Sequence, residues 1–231
     1  MHPEDMVIMT TSSEAGFYRL MSWLSPSFPV GAYSYSHGIE YAFEAGDVTD
    51  PASLQTWIEG ILAFGSGHTD GVLFRSGWQA IAEKDDELLS WAIETAATLR
   101  ATKEMALENS AQGEAFIEIL RNSWPHEGLQ KFEDLQAKLD RSASYPVAVG
   151  VAASMWGIDQ ETALSAYLHA FISNLVSAGV RMIPLGQTAG QKIITALEAD
   201  VIETVNSISQ TPITQLRSNI GSAAVCLVAR R

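Results

Sequence analysis

The chain has 231 residues, of which 27 are acidic and 14 basic, and its formal charge at pH 7 is −13. Hydrophobic residues make up 47 % of the chain, a level typical of globular proteins and too high for a disordered one. An acidic surface repels phosphate backbones and anionic lipid, which argues against nucleic-acid binding. The single cysteine, Cys226, cannot form a disulfide within the chain, and Glu4 and Asp5 stand where a secretory signal would carry positive charge. These features predict a cytoplasmic protein.

Helical patterns recur along the chain, and strand patterns are scarce. A capping box at Thr11 to Glu14 opens the first helix. Gly46 predicts the end of the second helix, and Asp50 followed by Pro51 predicts the start of the third. The apolar residues expected on one face of the first helix are Phe17, Leu20, Met21 and Leu24. The predicted helices cover approximately residues 14–24, 36–46, 51–64, 69–82, 86–109, 113–122, 128–141, 145–156, 159–180 and 194–205.

These patterns predict an all-α fold, a single-domain bundle of about ten helices. Neither an internal repeat nor a long linker interrupts the chain, so one domain is expected over residues 1–231. Residues 1–12 and 207–231 are expected to form flexible tails at its ends. Gly65 to Gly67 is expected to form a loop.

One segment, from Ala163 to Leu185, is apolar enough to suggest a membrane span. It contains His169, Asn174 and Arg181, and a charge within a span is costly. We therefore expect a buried helix and no association with a membrane.

No pattern of a catalytic, metal or cofactor site stands out. No two of the five histidines are four residues apart, and the chain has no Cys-x-x-Cys, His-Glu-x-x-His or P-loop motif. Ser36 and His37 place a hydroxyl beside an imidazole, which leaves a small enzyme as one hypothesis, although helix capping also accounts for Ser36. We therefore predict a protein that binds other proteins and has no catalytic, metal-binding or cofactor-binding residues.

Two segments are not explained by helix patterns alone. Residues 29–40 place glycines, small residues and two tyrosines before a helix. Residues 181–187 place an arginine and a helix break inside the most apolar region. If Arg181 is buried it needs a partner, which is either an internal acceptor, such as the carbonyls freed by Pro184, or a functional one.

These two segments carry a resemblance. Residues 29–40, Pro-Val-Gly-Ala-Tyr-Ser-Tyr-Ser-His-Gly-Ile-Glu, match the N-terminal signature of the urease accessory protein UreF family almost throughout. Residues 181–187, followed by Gly190-Gln191, match a later signature of the same family. The chain resembles this family from about Phe17 to Val205. Further matches fall between the signatures in family order, at Arg100, Glu104, Gln112-Gly113 and residues 145–150.

The resemblance implies an all-α protein that forms a homodimer and assists the assembly of the nickel site of urease. Its implied partners are a UreD/UreH-type accessory protein, the UreG GTPase and apo-urease. In this role the protein organises UreG and regulates its GTP hydrolysis, without an active site of its own. A nickel-binding metallochaperone is the alternative, although hard carboxylates alone select nickel poorly.

The resemblance also implies where partners bind. The first signature is expected at the dimer or partner surface. In the second, Arg181 and Gln187 either present polar groups to UreG or hold the turn together. The implied partner-binding residues are Gly31, Tyr33, Ser34, Tyr35, Ser36, Glu40, Arg181, Pro184, Gly186 and Gln187.

One part of the chain departs from the family pattern. Residues 211–231 lack the polar His-Glu segment with which family members usually end, and they carry an apolar run that stops at Arg230-Arg231. In the family this tail helps to engage the UreD-type partner. The departure is therefore expected to affect the contact with that partner.

Overall fold

A computed structural model describes residues 14–31, 38–99 and 103–215. All regular structure within these ranges is helical, which confirms the predicted all-α bundle of about ten helices. The first helical stretch, α1, covers residues 14–23. The helices that follow are α2 (Ile39–Ala45), α3 (Pro51–Phe64), α4 (Ser66–Glu83), α5 (Asp86–Thr98), α6 (Lys103–Ser123), α7 (Gly128–Leu139), α8 (Tyr145–Met155), α9 (Gln160–Met182), α10 (Gln187–Ala196) and α11 (Glu198–Gln210).

Contacts between residues group the fold into two compact units. Among the described residues, the first unit comprises 14–30 and 73–164, and the second comprises 31–72 and 165–215. The prediction of one domain over the whole chain with flexible tails stays a prediction, because residues 1–13 and 216–231 lie outside the described ranges. Residues 207–210, which were expected in the C-terminal tail, belong to α11.

The first unit is built around the buried helix α8. Proline at its first turn and a run of small and β-branched residues give a helix whose positions 146–153 are all buried. The neighbouring helix α4 approaches α8 closely because a glycine lies at each point of contact. A Cβ at Gly150 would collide with the carbonyl of Phe74 in α4, and a Cβ at Gly77 would lie 2.9 Å from the carbonyl oxygen of Val147.

Side chains from two other helices hold the segment that leads into α8. The Asn109 carboxamide oxygen accepts the backbone N–H of Tyr145 at 2.8 Å, and the Gln136 carboxamide oxygen accepts that of Ala143 at 2.8 Å. Orphan N–H groups at a helix start need such acceptors. The N-terminus of α8 is therefore fixed by α6 and α7, because Ser144, its N-cap residue, makes no capping bond of its own.

An aromatic cluster joins α1 to the rest of the first unit. Trp23 is fully buried, and its ring packs edge-on against Phe116, Trp124 and Trp156 at centroid distances of 6.0, 6.3 and 5.3 Å. Edge-to-face pairs at these separations are favourable beyond the area that they bury. Phe28 extends the cluster, with its ring centroid 5.6 Å from that of Phe116.

The predicted apolar face of α1 was wrong. Gly16, Leu20 and Trp23 are buried, whereas Phe17 is 61 % and Met21 52 % exposed. The reason is tertiary: Gly16 packs against Ile158, where an added Cβ would lie 3.3 Å from the side chain, and this contact turns the helix by about one position. Apolar spacing alone could not show that a glycine defines the inner face.

Three predicted boundaries were also wrong. Gly65 alone separates α3 from α4. Gly67, which was expected in a loop, belongs to α4 and packs against Leu62 of α3. The predicted helix over 86–109 ends at Thr98, and α6 then continues through Gly113 to Ser123. The predicted last helix is two helices, α10 and α11, which meet at Leu197.

The second unit packs α3 against α10 and α11. The predicted start of α3 is confirmed, because Asp50 and Ser53 form a reciprocal capping box with Pro51 in the first turn. The Ser53 N–H donates to Asp50 Oδ1 at 2.9 Å, and the hydrogen bonds from Ser53 lower the pKa of the Asp50 carboxyl. The buried face of α3 consists of Leu54, Ile58 and Leu62.

α9 is the one helix of the described residues that is long and apolar enough to cross a membrane, with a mean hydropathy of 1.3 over its most apolar window. Half of that window is buried within the structure. Leu164, Leu168 and Ile172 lie on the buried face, so α9 packs as a core helix of a globular fold does.

Gly113 tests the importance of close backbone approach in the first unit. A Cβ at this position would collide with the carbonyl oxygen of Ala143 and lie 2.9 Å from the carbonyl carbon of Ser144, and neither backbone atom can rotate away. We expect Gly113→Ala to lower the free energy of unfolding by about 1–3 kcal/mol or more, as overpacking does. Urea denaturation followed by far-UV circular dichroism measures this change.

Gly60 provides the matched control. It lies in the interior of α3, is exposed, and has no atom within 4 Å of an added Cβ. Gly60→Ala should therefore raise the free energy of unfolding by about 0.5–1 kcal/mol through helix propensity. Equal effects of the two substitutions would refute the role assigned to Gly113.

Candidate partner-binding surface

Among its described residues, the first signature contains two glycines in the left-handed region and the start of a short helix. Gly31 and Gly38 have φ angles of +75° and +80°, which side chains other than glycine rarely adopt. Gly38 is the N-cap residue of α2, so the glycine of the signature sets the direction in which the helix starts. Tyr33, Ser34, Tyr35 and Ser36, together with the predicted helix start near Ser36, lie outside the described residues.

α2 separates structural from surface positions of the first signature. Ile39 is fully buried and fixes the helix to the second unit, whereas Glu40 and Gly31 are exposed. The predicted end of α2 at Gly46 is confirmed: this residue has a φ of +81°, and its N–H donates to the carbonyls of Ala42 and Phe43.

The second signature forms the corner between α9 and α10. Arg181 lies in the last turn of α9, and Ile183 is buried just after it. Gly186 then serves as the N-cap residue of α10, and Gln187 begins that helix. The helix break predicted at residues 184–187 is thus confirmed.

Arg181 is not buried, although it lies in the most apolar region of the sequence. Its side chain is exposed, as are Pro184, Gly186 and Gln187. Val176 and Gly179, which lie five and two residues before Arg181 and are buried, are on the opposite side of the helix axis. A guanidinium in the last turn is favourable there, because the C-terminal end of a helix carries negative partial charge.

Two glycines hold this corner in place within the second unit. A Cβ at Gly179 would lie 2.7 Å or less from the Leu54 side chain of α3. A Cβ at Gly190 would lie 2.9 Å from Val180 and 3.3 Å from Val176, so α10 folds back closely against α9. Gly190 of the second signature is therefore a packing residue, whereas Arg181, Pro184, Gly186 and Gln187 before it are exposed.

Apart from Pro29 and Val30, which belong to the first unit, the described residues of both signatures fall in the second unit. Six of the ten predicted partner-binding residues are described, and all six are exposed. The interactions of these side chains with a partner are not tested by the fold, so their role stays a prediction. These six residues are Gly31, Glu40, Arg181, Pro184, Gly186 and Gln187.

Sequence patterns missed several exposed apolar side chains that lie outside the signatures. In the second unit these are Tyr41, Phe43, Phe64 and Ile202, with Tyr41 73 % exposed. A helix register that buries Ile39 and Ala42 turns Tyr41 outward, which could have been found from the spacing of α2. In the first unit a groove of about 500 Å³ opens beside α1 and is lined by Tyr18, Met21, Phe28 and Trp124 among others.

Titratable groups provide little sign of a chemical site. Among the described residues, no group of three or more His, Cys, Asp or Glu side chains is arranged to hold a metal ion. Burial lowers the pKa of the His68 imidazole. Burial likewise raises the pKa of the Tyr145 phenol, which lies within the aromatic core of the first unit.

The fold and this surface define a class: an all-helical protein that presents two signature segments to solvent from one compact unit. The UreF family model matches residues 48–198. The urease accessory protein UreF of Rhodopseudomonas palustris is 46 % identical over 194 residues, which cover 84 % of this chain and 79 % of that protein. UreF of Magnetococcus marinus is 41 % identical over 213 residues (92 % and 91 %), and UreF of a Bradyrhizobium species is 45 % identical over 222 residues (96 % and 89 %).

The chain belongs to the UreF family. The resemblance predicted from the two signatures is therefore confirmed. The relatives are named as accessory proteins of urease and not as enzymes.

The division between surface and packing residues in the second signature can be measured. Replacing both Arg181 and Gln187 with alanine should lower the free energy of unfolding by less than about 1 kcal/mol, because both side chains are exposed. Gly190→Val should lower it by about 1–3 kcal/mol, because its side chain meets Val180 and Val176. Thermal and urea unfolding of the two variants distinguishes these effects, and a larger loss in the alanine variant would assign the exposed pair to the fold.

Proposed function

We propose that the chain assists nickel insertion into apo-urease by binding a UreD/UreH-type accessory protein and by recruiting and regulating the UreG GTPase. Membership of a family whose curated members are named urease accessory proteins supports the proposal. The observation that carries it is that the six described partner-binding candidates of the two signatures are all exposed in one unit.

The character of the exposed residues also supports a docking role. Arg181 and Gln187 offer a fixed fork of donors and an amide at the α9–α10 corner, and Glu40 offers a carboxylate on α2. Polar groups of this kind at a rigid surface provide specificity between partners. In this proposal the chain acts as a scaffold in the cytoplasm, forms a homodimer, and leaves GTP hydrolysis to UreG.

Complementation tests the proposal directly. The chain is expressed with a urease operon that lacks its own UreF gene, in medium with nickel, and ammonia release is measured. We expect the wild-type chain to restore urease activity, and Arg181→Ala with Gln187→Ala to reduce the restored activity at least tenfold. Lys192→Ala with Gln210→Ala is the matched control, since it removes an exposed cation and an exposed amide from the same unit and should restore activity fully.

A failure of complementation is resolved by pull-down. If the wild-type chain binds UreD but urease stays inactive, the UreG step is the one that fails. If it binds neither UreD nor UreG, the proposed function is wrong. Calorimetric titration with nickel separates the scaffold from the alternative metallochaperone, because only the latter predicts a stoichiometric site on the chain alone.

A further inference from the structure

The outward face of α2 presents an aromatic ring to solvent. Tyr41 is 73 % exposed, while Ile39, two residues before it, is buried on the opposite side of the helix in the second unit. Exposed tyrosine and phenylalanine are characteristic of surfaces that become covered, because interfaces are enriched in aromatic side chains relative to the rest of a protein surface. Among the described residues the helix therefore carries a face that no other segment covers, and the surrounding charges indicate what binds it.

The charges on α2 act against the helix that carries them. Glu40 and Glu44 are four residues apart, so these like charges are neighbours on the helix surface and repel each other. Glu44 and Asp47 lie at the C-terminal end, where partial negative charge favours cations, and the last turn of α2 has no basic residue. This arrangement lowers the stability of α2. A bound cation would offset both the repulsion between the carboxylates and their unfavourable position at the helix C-terminus.

No cation of the described chain compensates for these carboxylates. Residues 20–74 contain six acidic residues and no lysine or arginine. The ion pairs found among residues 14–31, 38–99 and 103–215 do not involve Glu40, Glu44 or Asp47. The described part of the second unit has nine acidic residues and two basic ones, so the field at α2 favours a positively charged occupant.

We infer that the α2 face, defined as Glu40, Tyr41, Glu44 and Asp47, docks an arginine- and lysine-rich segment of a partner protein. Tyr41 and Glu44 are three residues apart and so lie side by side on the helix. A guanidinium stacked on the Tyr41 ring can reach the Glu44 carboxylate, which combines a cation–π contact with a charge-assisted hydrogen bond. The inference rests on the proposed function, because it supplies the chemistry by which a partner recognises the surface that includes Glu40.

Charge reversal outside the signature tests the α2 face. Glu44→Lys with Asp47→Lys leaves Glu40 unchanged and places cations at the helix C-terminus, so the melting temperature should stay the same or rise. Binding of a fluorescein-labelled twelve-residue peptide of arginine, lysine and leucine, measured by anisotropy in 50 mM salt, should weaken at least tenfold. Tyr41→Ser should weaken the same binding severalfold, which a purely electrostatic attraction would not produce.

A matched variant separates the α2 face from the charge of the whole molecule. Glu94→Lys with Glu203→Lys changes the net charge equally at exposed positions of α5 and α11, and should alter peptide binding less than twofold. Equal weakening in both variants, or none in the α2 variant, overturns the inference. It is also overturned if the α2 variant loses self-association and keeps peptide binding, because the face then covers a second copy of the chain.

The complementation assay distinguishes this failure from failure of the proposed function. If the wild-type chain restores urease activity and the α2 variant does so equally while binding the peptide equally, the α2 inference alone is wrong. If the wild-type chain does not restore activity but binds the peptide through α2, the proposed function fails and the α2 face stands.

Discussion

Close packing of helix backbones at glycine is the constraint on which both units depend. In the first unit, Gly113 and Gly150 allow carbonyl groups to approach where any side chain would collide. In the second, Gly179 and Gly190 bring α9 against α3 and α10. Interiors packed to this density leave little room for adjustment, so helix positions are determined closely. The exposed corner at residues 181–187 is held in a defined place because the glycines on either side of it are buried.

Local chemistry explains which parts of the fold the sequence could predict. The start of α3 at Asp50-Pro51 and the end of α2 at Gly46 depend on a few neighbouring residues, and both predictions are confirmed. The inner face of α1 depends instead on Gly16 meeting Ile158, more than a hundred residues away. The continuation of α6 through Gly113 likewise depends on a contact with Ala143, although an isolated glycine weakens a helix. Apolar spacing contains no information about such contacts.

The candidate surface was predictable in position but not in its physical character. The signatures identified the two segments, and the UreF family was recognised from them. A signature does not distinguish residues that build a turn from residues that face solvent. The fold makes that distinction, because Ile39 and Gly190 are buried while Glu40 and Gln187 are exposed. The exposure of Arg181 was left open for the same reason, since an apolar neighbourhood in sequence does not specify the side of the helix on which a residue lies.

The distribution of tryptophan has a consequence for spectroscopy of this protein. Trp23, Trp78, Trp91, Trp124 and Trp156 all belong to the first unit, and Trp57 in α3 is the only tryptophan of the second. Five of the six indoles therefore report on the first unit. A change in emission on adding a partner reports on the signature-bearing unit only through Trp57, so replacing that one indole converts the remaining signal into a reporter of the first unit alone.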